Sequence, residues 1–200
     1  MTRRELPTRT RWLDIPHRYR RGGYRDERMF VLGIDPGVSR CGYGLVSRAR
    51  SGMKARAAGV LTTPTADPLP DRLAALQREL RELLADTQPA VVVVERVFFQ
   101  VNARTAMSVA QAAGLALAAA AEAGCELAQY TANEVKQAVA GYGAASKEQV
   151  QRMVQSLLSL PERPRPPDAA DALALAVCHL TVAPRLARVS EALPVTGALG

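Results

Sequence analysis

Met29-Phe30-Val31-Leu32-Gly33-Ile34-Asp35-Pro36-Gly37 is a short apolar run that ends in a carboxylate and is stopped by a Pro-Gly pair. A run of that length, bounded by a turn signal, predicts a strand with Asp35 at its C-terminal end. Val91-Val92-Val93-Val94 is a second such run, β-branched and apolar on both faces, and it ends at Glu95. That composition suits a strand inside a sheet rather than at its edge. Open α/β sheets place their ligands at the carboxyl ends of the strands, so the two carboxylates converge if the strands are neighbours.

Outward from these runs, residues 42–47 and 54–61 predict two more strands, and the polar connection 48–52 makes them an antiparallel hairpin. Leu73, Leu76, Leu80, Leu83 and Leu84 recur at helical steps within 71–85, started by Pro70-Asp71 and barred from continuing by Pro89. Asn102 is placed to cap an Ala-rich helix reaching about Ala123. Its small residues Ala106, Ala110, Ala113 and Gly114 fit either tight packing on the sheet or an interface with a second copy. A last strand is expected at 125–130, then helices at 131–139, 146–158 and 168–180. The fold class is therefore α/β, a mixed sheet with an antiparallel start, flanked by helices.

One globular domain is expected over residues 29–182, with a disordered Arg-rich tail at 1–28 and a flexible C-terminal tail at 183–200. The basic stretch reads either as a loose electrostatic arm or as translation from a start upstream of a true beginning at Met29. A hydrophobic content of 48% argues against general disorder, and no apolar stretch is long enough to cross a bilayer. No apolar segment follows the basic N-terminus as a secretion signal requires. Cys41, Cys125 and Cys178 have neither disulfide nor zinc spacing, which predicts reduced thiols in a cytoplasmic protein. The formal net charge of +7 suggests a polyanionic partner, because basic side chains that neutralise phosphates release condensed counterions.

Asp168 and Asp171 share one face of the predicted helix, and Pro166-Pro167 sets them in its first turn. An Asp there commonly just complements the helix dipole. That accounts for either Asp singly, but not for Asp35 and Glu95, whose charges at strand ends near a core are costly without compensation. A bound cation compensates all four. Oxygen donors without His or Cys suit Mg²⁺ or Mn²⁺, and two such ions per subunit, roughly 4 Å apart, can clamp the attacking and leaving oxygens of a phosphodiester. His179 is excluded as a further ligand, because eight residues beyond Asp171 it lies about 12 Å along the helix.

Gly33-Ile34-Asp35-Pro36-Gly37, Val94-Glu95-Arg96-Val97-Phe98, Val135-Lys136-Gln137 and Asp168-Ala169-Ala170-Asp171-Ala172-Leu173-Ala174 together resemble the RuvC family of Holliday-junction resolvases. The likeness runs in order, with similar spacing, from about Met29 to Leu180. Gly-Ile-Asp-Pro-Gly alone is also similar to a phosphate loop of actin-like sugar kinases and chaperone ATPases, but an enzyme of that kind needs two such domains around the nucleotide. The resemblance implies a ribonuclease-H-like fold, with the family's acidic quartet falling on Asp35, Glu95, Asp168 and Asp171. It implies that Lys147 stabilises phosphate charge near the metals and that Lys136 grips the DNA backbone, where spacing alone reads both as solvated helix lysines. Phe98 matches an aromatic that stacks on bases, with Phe99 a second candidate; either fits equally as a cap on the core. Tyr142, within Gly141-Tyr142-Gly143, is assigned no chemistry, and Arg96 stands where a smaller polar residue is common.

Further implications are a homodimer, four-way junction DNA as substrate, symmetric nicking of two like strands, a branch-migration motor as partner, and no membrane association. The competing readings are a nuclease of the same fold acting on structured RNA and a non-catalytic junction binder whose carboxylates only cap helices.

Overall fold

A computed structural model describes residues 9–13, 29–49, 52–96 and 103–192. Six strands form one mixed sheet in the order β1-β4-β3-β2-β5-β6: β1 (Arg9–Leu13), β2 (Phe30–Asp35), β3 (Arg40–Ala49), β4 (Gly52–Thr62), β5 (Val91–Glu95) and β6 (Glu126–Tyr130). The meander β2-β3-β4 is antiparallel as expected, with β3 and β4 longer than the apolar runs suggest because polar residues at the hairpin stay paired. β5 lies parallel to β2 with Ile34 opposite Val94, so the next residues, Asp35 and Glu95, end adjacent strands side by side.

Side chains alternate across a strand, and that parity decides which face each carboxylate takes. Leu32, Ile34, Val92 and Val94 pack against α1 (Leu69–Thr87) and α2 (Ala103–Glu122), among Leu76, Leu80, Leu83, Ala112 and Ala116. Val31, Val91 and Val93 pack on the opposite face among Val135 of α3 (Ala132–Ala140), Val150 and Val154 of α4 (Lys147–Leu158), and Leu173 and Val177 of α5 (Pro167–Ala192). Asp35 and Glu95 continue the second parity, so both belong to the face that α5 covers.

Helix α5 reaches that face closely because β2 and β3 present glycines to it. A Cβ on Gly33 would overlap the carbonyl oxygen of Ala172, one on Gly42 would overlap that of Asp168, and one on Gly44 would lie 2.7 Å from the Leu173 nitrogen. Ala169, Ala172 and Ala176 are fully buried on the helix side of this contact. Small residues on both surfaces thus bring the first turn of α5, with Asp168 and Asp171, down onto the end of β2. Gly42→Ala is expected to lower stability by about 1–3 kcal/mol, as overpacking does, because backbone rather than a flexible side chain must yield. Denaturant melting checks this; an unchanged midpoint would mean that α5 slides without cost.

Two expectations need correction. Arg9–Leu13, assigned to an unfolded tail, pair antiparallel with β4 from Arg9 opposite Leu61 to Leu13 opposite Ala58, with a register shift between Arg11 and Leu13. Thr10 and Trp12 favour a strand, and without this partner β4 would be a long edge with unpaired N–H and C=O groups. The flexible C-terminal tail expected from residue 183 is helical as far as Ala192, since α5 continues through Pro184. Pro184 has no N–H for the Leu180 carbonyl one turn earlier, and the Arg48 guanidinium donates to that oxygen instead. The remaining residues of 1–28, residues 193–200 and the expected cap Asn102 lie outside the described residues.

Of the small residues of α2, Ala113 is buried against the neighbouring helix and sheet, whereas a Cβ on Gly114 would meet nothing and Met107 is 62% exposed. Among the described residues no helix is long and apolar enough to cross a membrane.

Candidate active site

The sheet and α5 bring three of the four predicted carboxylates to one cleft. Asp35 and Glu95 enter from the ends of β2 and β5, and Asp171 from the first turns of α5. Lys136 of α3 and Lys147 of α4 line the same cleft, whose volume is about 450 Å³ and whose apolar side is formed by Val135, Val150, Ala174 and Leu175. Asp168, one turn before Asp171, is not part of that lining; its Oδ2 accepts from Arg40 Nη2 at 2.7 Å and from Arg40 Nε at 3.0 Å.

Both lysines are placed by helix caps that the local sequence dictates. Ser146 and Gln149 form a capping box at the start of α4, so Lys147 is the first helical residue, and its Nζ lies 2.5 Å from Asp171 Oδ2. Tyr142, without a role in the sequence, donates its hydroxyl to Gln149 Oε1 at 3.0 Å and so supports this box. Thr131 and Glu134 form the equivalent box on α3, which carries Lys136.

Charge in the cleft is unbalanced. Burial, then Asp171, Glu95 and Asp168 in turn, push the Asp35 carboxyl up to about 7, and Lys147 offsets this only in part. Burial also raises Glu95 above the usual carboxylate range, with Asp171 adding to the rise and Lys147 opposing it. Asp171 is raised by burial, with Lys147 acting against it. Burial alone would lower the Lys147 ammonium, but its hydrogen bond to Asp171 and the surrounding carboxylates hold it above its ordinary value.

Carboxylates whose neighbours raise one another's affinity for protons equally favour a divalent cation, and an all-oxygen donor set selects a hard one. The chemistry of this donor set therefore fits the expected metal. Among the described residues no three acidic, histidine or cysteine side chains already enclose a position for an ion. Lys147 holds one oxygen of Asp171 and Arg40 one of Asp168.

His179 is buried away from this chemistry, with Nδ1 3.1 Å from the Tyr130 hydroxyl, and burial lowers its pKa. Cys41 and Cys178 are buried free thiols and Cys125 is a partly buried one. Phe98 and Phe99 lie outside the described residues. Sequence reasoning missed Arg40, whose signal is a cation opening the strand after the Asp35-Pro36-Gly37 turn. It also missed the alternate glycines Gly42 and Gly44, whose signal is a strand face without side chains opposite an Ala-rich helix.

Residues 31–179 match the family model of crossover junction endodeoxyribonuclease RuvC. The crossover junction endodeoxyribonuclease RuvC of Moorella thermoacetica is 50% identical over 163 residues, covering 82% of this chain and 98% of its own. That of Parafrankia sp. is 51% identical over 170 residues, covering 83% and 94%. Thermus thermophilus RuvC, solved in complex with a Holliday junction substrate, superposes with a TM-score of 0.73 at 38% identity, over 78% of this chain and 94% of that one. The yeast mitochondrial Holliday junction resolvase Ydc2, at 16% identity and a TM-score of 0.60 over 82% and 84%, shares the fold alone. The ribonuclease-H-like mixed sheet expected from the sequence is thus the fold of these proteins, and the chain belongs to the RuvC family of crossover junction endodeoxyribonucleases.

Proposed function

We propose that this protein is a structure-selective endonuclease that resolves four-way DNA junctions in recombination and repair, nicking two like strands symmetrically by metal-dependent hydrolysis. One observation carries the reading furthest: Asp35 and Glu95 end adjacent parallel strands beneath α5, and burial with the neighbouring carboxylates drives the Asp35 pKa to about 7. A purely structural cluster has no reason to gather charges that repel so strongly. The junction as substrate is supported by the Thermus relative solved with one.

Asp35, Glu95, Asp168 and Asp171 would hold Mg²⁺ or Mn²⁺, two ions per protomer. When bound, such ions polarise the phosphodiester and lower the pKa of water at the attacking position. Lys147, at the cleft wall beside Asp171, supplies fixed positive charge toward the phosphate, and Lys136, which also lines the cleft, takes a neighbouring backbone phosphate. Apolar Val135, Val150 and Leu175 keep that side of the cleft poor in water, which strengthens both interactions. A homodimer is supported by the bare flank of α2 at Met107 and Gly114, and two-fold symmetry would match the two cuts to the symmetry of the junction.

Incubation with a labelled mobile four-way junction tests this. The expected products are paired nicks at symmetric positions with Mg²⁺ or Mn²⁺ and none with chelator. Linear duplex cut as readily as the junction would overturn the structure selectivity, and preferential cutting of structured RNA would move the enzyme to RNA processing.

A further inference from the structure

Arg40 is not part of the acidic quartet and does not line the cleft, yet it makes the tightest side-chain contact of Asp168. It opens β3 opposite Thr62 of β4, two residues before Gly42, the partner of Asp35. Alternation along β3 therefore puts Arg40, Gly42 and Gly44 in one row, and the two glycines of that row lie directly under α5. The row ends in the only one of the three with a side chain, and that side chain meets the first turn of α5 at Asp168.

Its contact has a specific form. Nε at 3.0 Å and Nη2 at 2.7 Å both donate to the same oxygen, Oδ2, and among the described residues no donor reaches Oδ1. Two donors from one rigid planar group meet that single oxygen, which restrains Oδ2 more firmly than the one donor of an ammonium would and leaves Oδ1 open. The arrangement contrasts with Asp171, whose partner Lys147 stands inside the cleft where a cation would compete with it.

We propose that Arg40 is a positioning residue for Asp168, holding one carboxylate oxygen so that the other is free to ligate a divalent cation. The inference rests on the metal-dependent reading of the site. Two effects of Arg40 oppose each other, since its charge repels a cation while its grip orients a ligand. The Arg40 side chain is 50% exposed and that of Asp168 27%, so solvent screens the repulsion, and orientation wins. Groups that orient a metal ligand in this way typically contribute 10–100-fold in affinity.

Calorimetric titration of the full chain with Mn²⁺, in the absence of DNA, separates the two effects by sign. Arg40→Gln is expected to bind Mn²⁺ about ten-fold more weakly than the parent. Arg40→Lys keeps the charge but not the two-donor grip, and should also bind more weakly. Thermal melting of both variants in chelator reports whether they remain folded. Arg40→Gln binding Mn²⁺ as tightly as the parent, or more tightly, would overturn the proposal. So would Arg40→Lys matching the parent while Arg40→Gln is weak, since charge alone would then suffice. Glu95→Gln run alongside distinguishes the two levels of failure: if it weakens Mn²⁺ binding while Arg40→Gln does not, only the role of Arg40 falls. If the parent itself takes up no Mn²⁺, the metal reading falls and takes this role with it.

Discussion

Glu95→Gln leaves binding of a four-way junction intact and lowers its metal-dependent cleavage by roughly 10³-fold or more. The magnitude follows from what a cation contributes: several kcal/mol of transition-state charge stabilisation, at about 1.36 kcal/mol per tenfold in rate. The substitution keeps the shape of the side chain but replaces one acceptor oxygen by an NH₂ donor and removes a charge at the end of the strand neighbouring that of Asp35. Because Glu95 ends β5 at the rim of the sheet rather than in its core, the fold tolerates the exchange, and Lys136 and Lys147, the proposed DNA contacts, are unchanged. A gel-shift titration beside a single-turnover cleavage assay reads both quantities. Loss of binding in parallel with cleavage would mean that Glu95 organises the DNA surface. Undiminished cleavage would remove Glu95 from the metal site.

Much of this site is legible in the sequence, because it is written in strand ends. Asp35 and Glu95 each stop an apolar run, and a charge there needs a reason whatever the fold. The face they occupy is not legible in the same way. Both sides of β2 and β5 are covered by helices, so neither strand alternates between polar and apolar, and parity becomes visible only when Val31 and Val93 are seen against α5. Arg40 is hidden for a related reason: an arginine at a strand start is ordinarily solvated, and only the descent of α5 onto Gly42 supplies its partner. Arg9–Leu13 and the helix beyond Pro184 show the same limit from the other side. The Arg-rich surroundings hide the short strand-forming stretch in the first and Pro184 argues against a helix in the second, while distant groups, the β4 edge for one and the Arg48 guanidinium for the other, provide partners that the local sequence does not show.

The effect of Asp35→Asn on the stability of the fold is expected to depend on whether metal is present. In chelator the parent carries Asp35 with its pKa raised from 3.8 to about 7, so between those values the folded chain keeps a proton that the unfolded chain has released. Proton binding then favours the fold, and stability is fully present below about pH 4, falls as the pH rises to about 7, and levels off above it. Asn has no proton to lose and is free of this penalty. At pH 8 in chelator the variant should therefore be the more stable by up to ~4 kcal/mol, at about 1.36 kcal/mol for each pH unit of that interval, and near pH 4 the difference should vanish. Glu95 and Asp171 are raised in the same direction, so part of the pH dependence persists in the variant. Millimolar Mg²⁺ narrows this gap, because a cation that binds the folded chain alone stabilises it by mass action, and the variant lacks the charge of a proposed ligand. Thermal melting across pH 4–8, with chelator and then with Mg²⁺, resolves both effects. If Asp35→Asn melts no higher than the parent in chelator at pH 8, the charge of Asp35 is already compensated within the protein, and the electrostatic argument for a cation loses its footing. If it melts higher, and Mg²⁺ then raises the parent more than the variant, the repulsion among these carboxylates is the feature that a metal relieves. The stability that the free protein gives up at Asp35 is then returned on binding the metal with which it cuts DNA.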